Sequence, residues 1–131
     1  MAGTLVANTI NTDTGLFSTN NAYNGIAKAW VNFAGSTGTI NSSFNVSSIT
    51  RNNTGYYTVN FTTAMPNANY SVSASSSTNG STVGIPFLYC DTVSSNALVS
   101  PTTSAFNFCV SNAAQNTRID GTYVQVAVFG S

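Results

Sequence analysis

GTYVQVAVFGS, residues 121–131, closes the chain with its plainest alternation. Val124, Val126 and Val128 point to one side and Tyr123, Gln125, Ala127 and Phe129 to the other, the two-residue period of a strand with one face against a core. The split suggests aliphatics turned inward and aromatics turned toward a partner. Working back, Tyr57, Val59 and Phe61 alternate with Tyr56, Thr58, Asn60 and Thr62, preceded by Phe44 and Val46 in the run SFNVSSI. The intervening TRNNTG offers Asn and Gly, which tolerate positive φ, so 43–49 and 56–63 are expected to form a hairpin with a loop longer than two residues. Further strands are expected at 28–33, 69–75, 83–90 and 105–110. Pro86 should confine its strand to an edge or mark a bulge, because proline cannot donate to a ladder. Short strands separated by Gly, Asn and Ser clusters give the fold class: all-β, an antiparallel β-sandwich or jelly-roll-like domain over 28–131.

Composition narrows the chemistry. The 131 residues fit one domain, and 55 of them are Ser, Thr or Asn, against three basic residues (Lys28, Arg51, Arg118) and three acidic ones (Asp13, Asp91, Asp120). Solubility therefore rests on hydrogen bonding rather than charge repulsion, and a neutral surface favours assembly over an isolated monomer. A basic footprint for nucleic acid is missing from the sequence. No apolar run is long enough to cross a membrane as a helix, and the N-terminus carries no signal-peptide pattern, so neither membrane insertion nor export by that route is expected. Residues 1–27 hold only scattered apolar positions and read as an extended arm that docks on something else.

The chain contains no His and no Glu, which removes Ser-His-Asp and Cys-His relays and His-based metal sites. Two carboxylates for acid/base work would have to come from three Asp residues in turn-like contexts, Asp120-Gly121 being most simply a turn before the last strand. No catalytic set, metal site or cofactor is expected. Six N-x-S/T sequons, at Asn41, Asn45, Asn52, Asn60, Asn69 and Asn79, are what chance provides in so Asn- and Ser-rich a chain. Cys90 and Cys109 read as reduced, partly buried thiols, a disulfide requiring an oxidising medium. Trp30, Phe33, Phe44, Phe61 and Phe108 are expected in the core. Tyr56 and Tyr57, beside the 50–55 loop, offer a stacking surface for sugars or, more simply, strand and subunit contacts.

One segment carries a resemblance. KAWVNFAGSTGTINSSFNVSSITRNNTGYYTVNFTTAMPNANYSV, residues 28–72, is similar to a module of tail-fibre and other small virion proteins of tailed bacteriophages. The shared blocks are AWVNF, SFNVSSIT, a Gly-containing turn, and YTVNFT followed by AMPNANY. The ending YVQVAVFGS resembles the closing strand of those proteins, and TLVANTINTDTG resembles the short segments that precede the module. The turn departs from the pattern: relatives often carry acidic residues there, whereas this chain has TRNNTG with Arg51, so a contact made through an acidic turn does not carry over.

The resemblance implies a non-enzymatic virion protein, commonly homotrimeric, assembled in the host cytoplasm and displayed on the phage particle. Two roles compete within it. A capsid decoration (cement) protein would bind the major capsid protein or other virion proteins, with Leu5, Val6 and Ile10 of the arm as apolar anchors and 28–131 as a trimeric knob. A tail-fibre or spike tip would bind a host-surface glycan, with Arg51, Tyr56 and Tyr57 as contacts. The shortness of the segment ahead of the module favours the decoration role. A secreted carbohydrate-binding module is a third reading, on the sugar-friendly surface alone.

Overall fold

The computed structural model describes residues 3, 9–12, 15–18, 25–77, 84–88, 99–114 and 117–130. Among the described residues there are ten strands: β1 (Thr9–Thr12), β2 (Gly15–Ser18), β3 (Ala29–Phe33), β4 (Ile40–Phe44), β5 (Val46–Asn53), β6 (Tyr56–Phe61), β7 (Ser71–Ser76), β8 (Ile85–Leu88), β9 (Ala105–Ser111) and β10 (Val124–Phe129). They form two four-stranded antiparallel sheets, β4-β3-β10-β7 and β5-β6-β9-β8, and a separate two-stranded sheet, β1-β2. The two larger sheets bury one core between them, so the domain is an all-β sandwich. Among the described residues no helix is long and apolar enough to cross a membrane.

Alternation decides which side chains enter that core. The first sheet contributes Ala29, Val31 and Phe33 from β3 and Val124, Val126 and Val128 from β10. The second contributes Val46, Tyr57, Val59, Phe61, Phe106, Phe108 and Val110. Aromatic rings run through the interior in edge-on and tilted contacts: Phe33 meets Tyr57 at 5.2 Å between centroids, Tyr57 meets Phe108 at 5.4 Å, and Phe61 meets Tyr70 at 5.6 Å. The Tyr70 hydroxyl donates to the Thr102 and Ala105 carbonyls, which keeps its polar end satisfied inside.

The stretch 43–49 is not one strand. Asn45 sits between β4 and β5 at φ 54°, and the chain leaves the first sheet and enters the second there. Asn is among the few side-chain-bearing residues that adopt this conformation readily. Its side chain fastens the corner: Nδ2 donates to the carbonyls of Lys28 and Thr63, each at 3.1 Å, and Oδ1 accepts from the Thr63 amide at 2.8 Å. One residue thus ties the start of β3 to the end of β6.

The β5-β6 hairpin is also tighter than expected, with only Thr54 and Gly55 between the strands. A register shift between Arg51 and Asn53 takes up the extra residue, and Gly55 supplies positive φ at 60°. Pro86 lies in β8, an edge strand, as expected.

Other expectations are corrected. Trp30 and Phe44 are not in the core but 40% and 55% exposed. They pair across β3 and β4 on the outer face, a phase that the buried neighbours Ala29, Val31 and Phe33 already impose on Trp30. Cys109 is not a free thiol but disulfide-bonded. Cys90, the only other cysteine in the chain, lies outside the described residues. Cys109 is fully buried because β9 is buried on both faces from Phe108 to Ser111. Within the segment expected as an arm, which the fold does not contradict, β1 and β2 pair antiparallel with Ile10 opposite Phe17.

Candidate functional site

The residues named as contacts separate into two environments. Tyr57 is fully buried in the aromatic interior and offers no stacking face, which corrects its expected place on the surface. Its hydroxyl donates to Asp120 Oδ1 at 2.6 Å. Asp120 also accepts from the Gly55 amide at 2.8 Å and from Arg51, through Nε at 3.2 Å and Nη2 at 2.6 Å. Arg51 further donates to Thr54 Oγ1. Asp120 is therefore a hub that pins the β5-β6 turn to the segment entering β10.

The electrostatics follow from that geometry. Burial alone would push the Asp120 carboxyl up, but the hydrogen bonds from Arg51, the Gly55 amide and Tyr57 outweigh it and hold the group below its ordinary value. The bond to Asp120 pushes the Arg51 guanidinium up. Burial, then Asp120, push the Tyr57 phenol well above the ordinary tyrosine range, so it remains a donor. Arg51 is committed to this intramolecular pair, and the cluster is a structural staple.

Tyr56 lies on the outer face of the second sheet, half-buried in a ladder of neutral side chains. Asn52 Nδ2 donates to Thr58 Oγ1, which donates to Asn107 Oδ1, and Asn107 Nδ2 donates to the Tyr56 hydroxyl, at 2.8, 2.7 and 2.9 Å. Alongside, Asn60 Nδ2 donates to Ser48 Oγ and Thr50 Oγ1. The amide nitrogens of Asn52, Asn60 and Asn107 are thus all directed at neighbouring side chains of this face.

The outer face of the first sheet differs. Two rows cross β3, β10 and β7: Trp30, Ala127 and Ser73 in one, Asn32, Gln125 and Ser75 in the next. Small residues beside a large indole leave an open groove of about 420 Å³, lined by these six side chains and the intervening backbone. Asn32 Oδ1 accepts from Asn41, and Gln125 Oε1 accepts from Ser75 Oγ at 3.4 Å. Among the described residues neither amide nitrogen, Asn32 Nδ2 or Gln125 Nε2, has a protein partner. Phe44 stands on the far side of Trp30.

Leu5 and Val6 lie outside the described residues, as do Asp13 and Asp91. Among the described residues no group of three or more His, Cys, Asp or Glu side chains could hold a metal ion. Sequence reading missed both the Asp120 hub and the Trp30 groove. The alternation A-W-V-N-F could have placed Trp30 and Asn32 together on one face, opposite Val31 and Phe33, but not the β10 and β7 residues that complete the groove. No family model matches the chain, and neither a curated protein nor a solved structure matches it.

Proposed function

We propose that this protein is a non-enzymatic structural component of a tailed-phage virion, a decoration protein that binds the capsid shell as a homotrimer. The observation that carries the reading is the outer face of the β4-β3-β10-β7 sheet. There Trp30 and Phe44 stand side by side and exposed on a rigid scaffold with a neutral surface. Large apolar side chains held this way gain free energy only when another surface covers them. The motif resemblance of residues 28–72 supplies the virion context. The disulfide at Cys109 fits a particle surface that meets an oxidising medium once the phage leaves its host.

The test is the ratio of this chain to the major capsid protein in purified virions, by quantitative mass spectrometry. A ratio approaching one supports a lattice-wide decoration protein. A ratio of a few per cent or less supports a tail-fibre or spike tip, and absence from virions refutes both. The tip reading has an observation of its own in the groove beside Trp30, whose aromatic, amide and hydroxyl lining suits a host-surface glycan. Excess purified protein should then compete with phage adsorption to host cells, and unimpaired adsorption would remove that reading.

A further inference from the structure

We infer that the groove between β3 and β7 is a binding site for a neutral saccharide, with Trp30 as the stacking platform and the Asn32 and Gln125 amides as hydrogen-bond donors to sugar hydroxyls. The inference rests on the tip reading of this face, in which the groove beside Trp30 stays open to solvent, and names the ligand class that the groove takes.

The geometry supplies each part. The floor crosses three strands, about 10 Å at ordinary strand spacing, and is lowered by Ala127, Ser73 and Ser75. Its volume of about 420 Å³ falls in the range of small-ligand clefts. One wall is the Trp30 indole, 40% exposed, whose flat face can cover the C–H surface of a pyranose. Its placement on a central strand of the sheet fixes it better than a loop would. Each amide oxygen accepts one hydrogen bond from a neighbouring side chain, while each NH₂ has no protein partner among the described residues and so is available to donate to a ligand. Ser73 adds a hydroxyl that donates or accepts, and Ser75, whose proton goes to Gln125, one that accepts.

Specificity follows from what lines the groove. None of its residues is ionisable. An anionic sugar would be desolvated with no cation to receive it, whereas a neutral one exchanges water for amides and hydroxyls. Binding should therefore be insensitive to salt. On the opposite sheet the amide nitrogens of Asn52, Asn60 and Asn107 each already donate to a neighbouring side chain, unlike those of Asn32 and Gln125.

The chain contains a single tryptophan, so its fluorescence reports the groove directly. The full chain would be titrated with neutral hexasaccharides of glucose, mannose, galactose and N-acetylglucosamine, and with sialyllactose and heparin as anionic probes. The expected result is a change in Trp30 emission with at least one neutral probe, unaltered between 0.05 and 0.5 M salt, and none with the anionic ones. By calorimetry, W30A should weaken binding about tenfold or more, and N32A and Q125A several-fold each, with unfolding midpoints near that of the parent. Y56F, on the opposite sheet, should bind as the parent does.

The proposal is overturned by no response to any neutral probe, by binding that W30A leaves intact, or by binding that follows ligand charge and weakens with salt. A Trp30 emission that is already blue-shifted and red-shifts on dilution would mean that a second copy covers the groove, which also overturns it. Failure here leaves the virion reading standing if the chain is still found in particles. Saccharide binding by a chain missing from particles would remove the virion reading and keep the site.

Discussion

Replacing Asp120 tests the staple that joins the β5-β6 turn to the last strand. Its carboxylate is 12% exposed and accepts from the buried Tyr57 hydroxyl and the Gly55 amide, while the Arg51 side chain opposite is 31% exposed. Hydrogen bonds to a charged, largely buried acceptor contribute about 1.5–3 kcal/mol each. The Arg51 pair is discounted to about 1 kcal/mol or less because solvent screens it. Asp120→Ala, which leaves two donors without an acceptor, should cost about 4 kcal/mol. Asp120→Asn keeps one acceptor oxygen but turns an NH₂ toward the other donors, and should cost about 2 kcal/mol, a fall in Tm on the order of 6–12 °C for a domain of this size.

The pH dependence gives the second arm of the test. The folded pKa of Asp120 lies below its ordinary 3.8, so the unfolded chain takes up the proton first as the pH falls. The contribution is complete above that value and drains away as the pH falls through the folded pKa. Urea denaturation followed by Trp30 fluorescence at pH 7 and stepwise below pH 4 should show the gap between parent and Asp120→Asn narrowing. A gap that stays constant into strong acid, or is already absent at pH 7, would refute the assignment of Asp120 as the ionised hub.

Three further outcomes can be checked. Gly55→Ala should lose about 3 kcal/mol or more by urea denaturation, because a Cβ at φ 60° meets the Val110 carbonyl and lies 2.7 Å from the Ile119 backbone, which cannot move aside. Asn45→Asp keeps the size and the tolerance of positive φ but aims an acceptor at the Lys28 and Thr63 carbonyls; it should cost about 2 kcal/mol at pH 7, seen as a lower Tm. Thiol titration of the unfolded, unreduced protein should find no free cysteine, with a digest joining the Cys109 peptide to that of Cys90; reduction should lower stability by about 3 kcal/mol.

The sequence alone was enough for the fold class, because alternation in YVQVAVF and YYTVNF needs only a two-residue period and a core to face. It also settled the neutral character of the surface, since three acidic and three basic residues cannot build a charged one. Period two, however, says which residues share a face and not which face is inside. Alternation set Tyr57 with Val59 and Phe61 and Tyr56 with Thr58 and Asn60, yet only the packing of the second sheet against Phe33 showed that Tyr57 is enclosed in the core while Tyr56 joins the outer ladder.

Tertiary structure alone decided the rest, for the same reason each time: the partners are remote in sequence. Asp120 meets Arg51 from 69 residues away, so a turn-forming Asp-Gly became a hub. Asn45 became a corner between sheets because Lys28 and Thr63 converge on it, where local pattern showed one continuous strand. The groove exists because β7 joins β10 rather than its sequence neighbour β6, setting Ser73 and Ser75 in register with Ala127 and Gln125 beside the indole of Trp30.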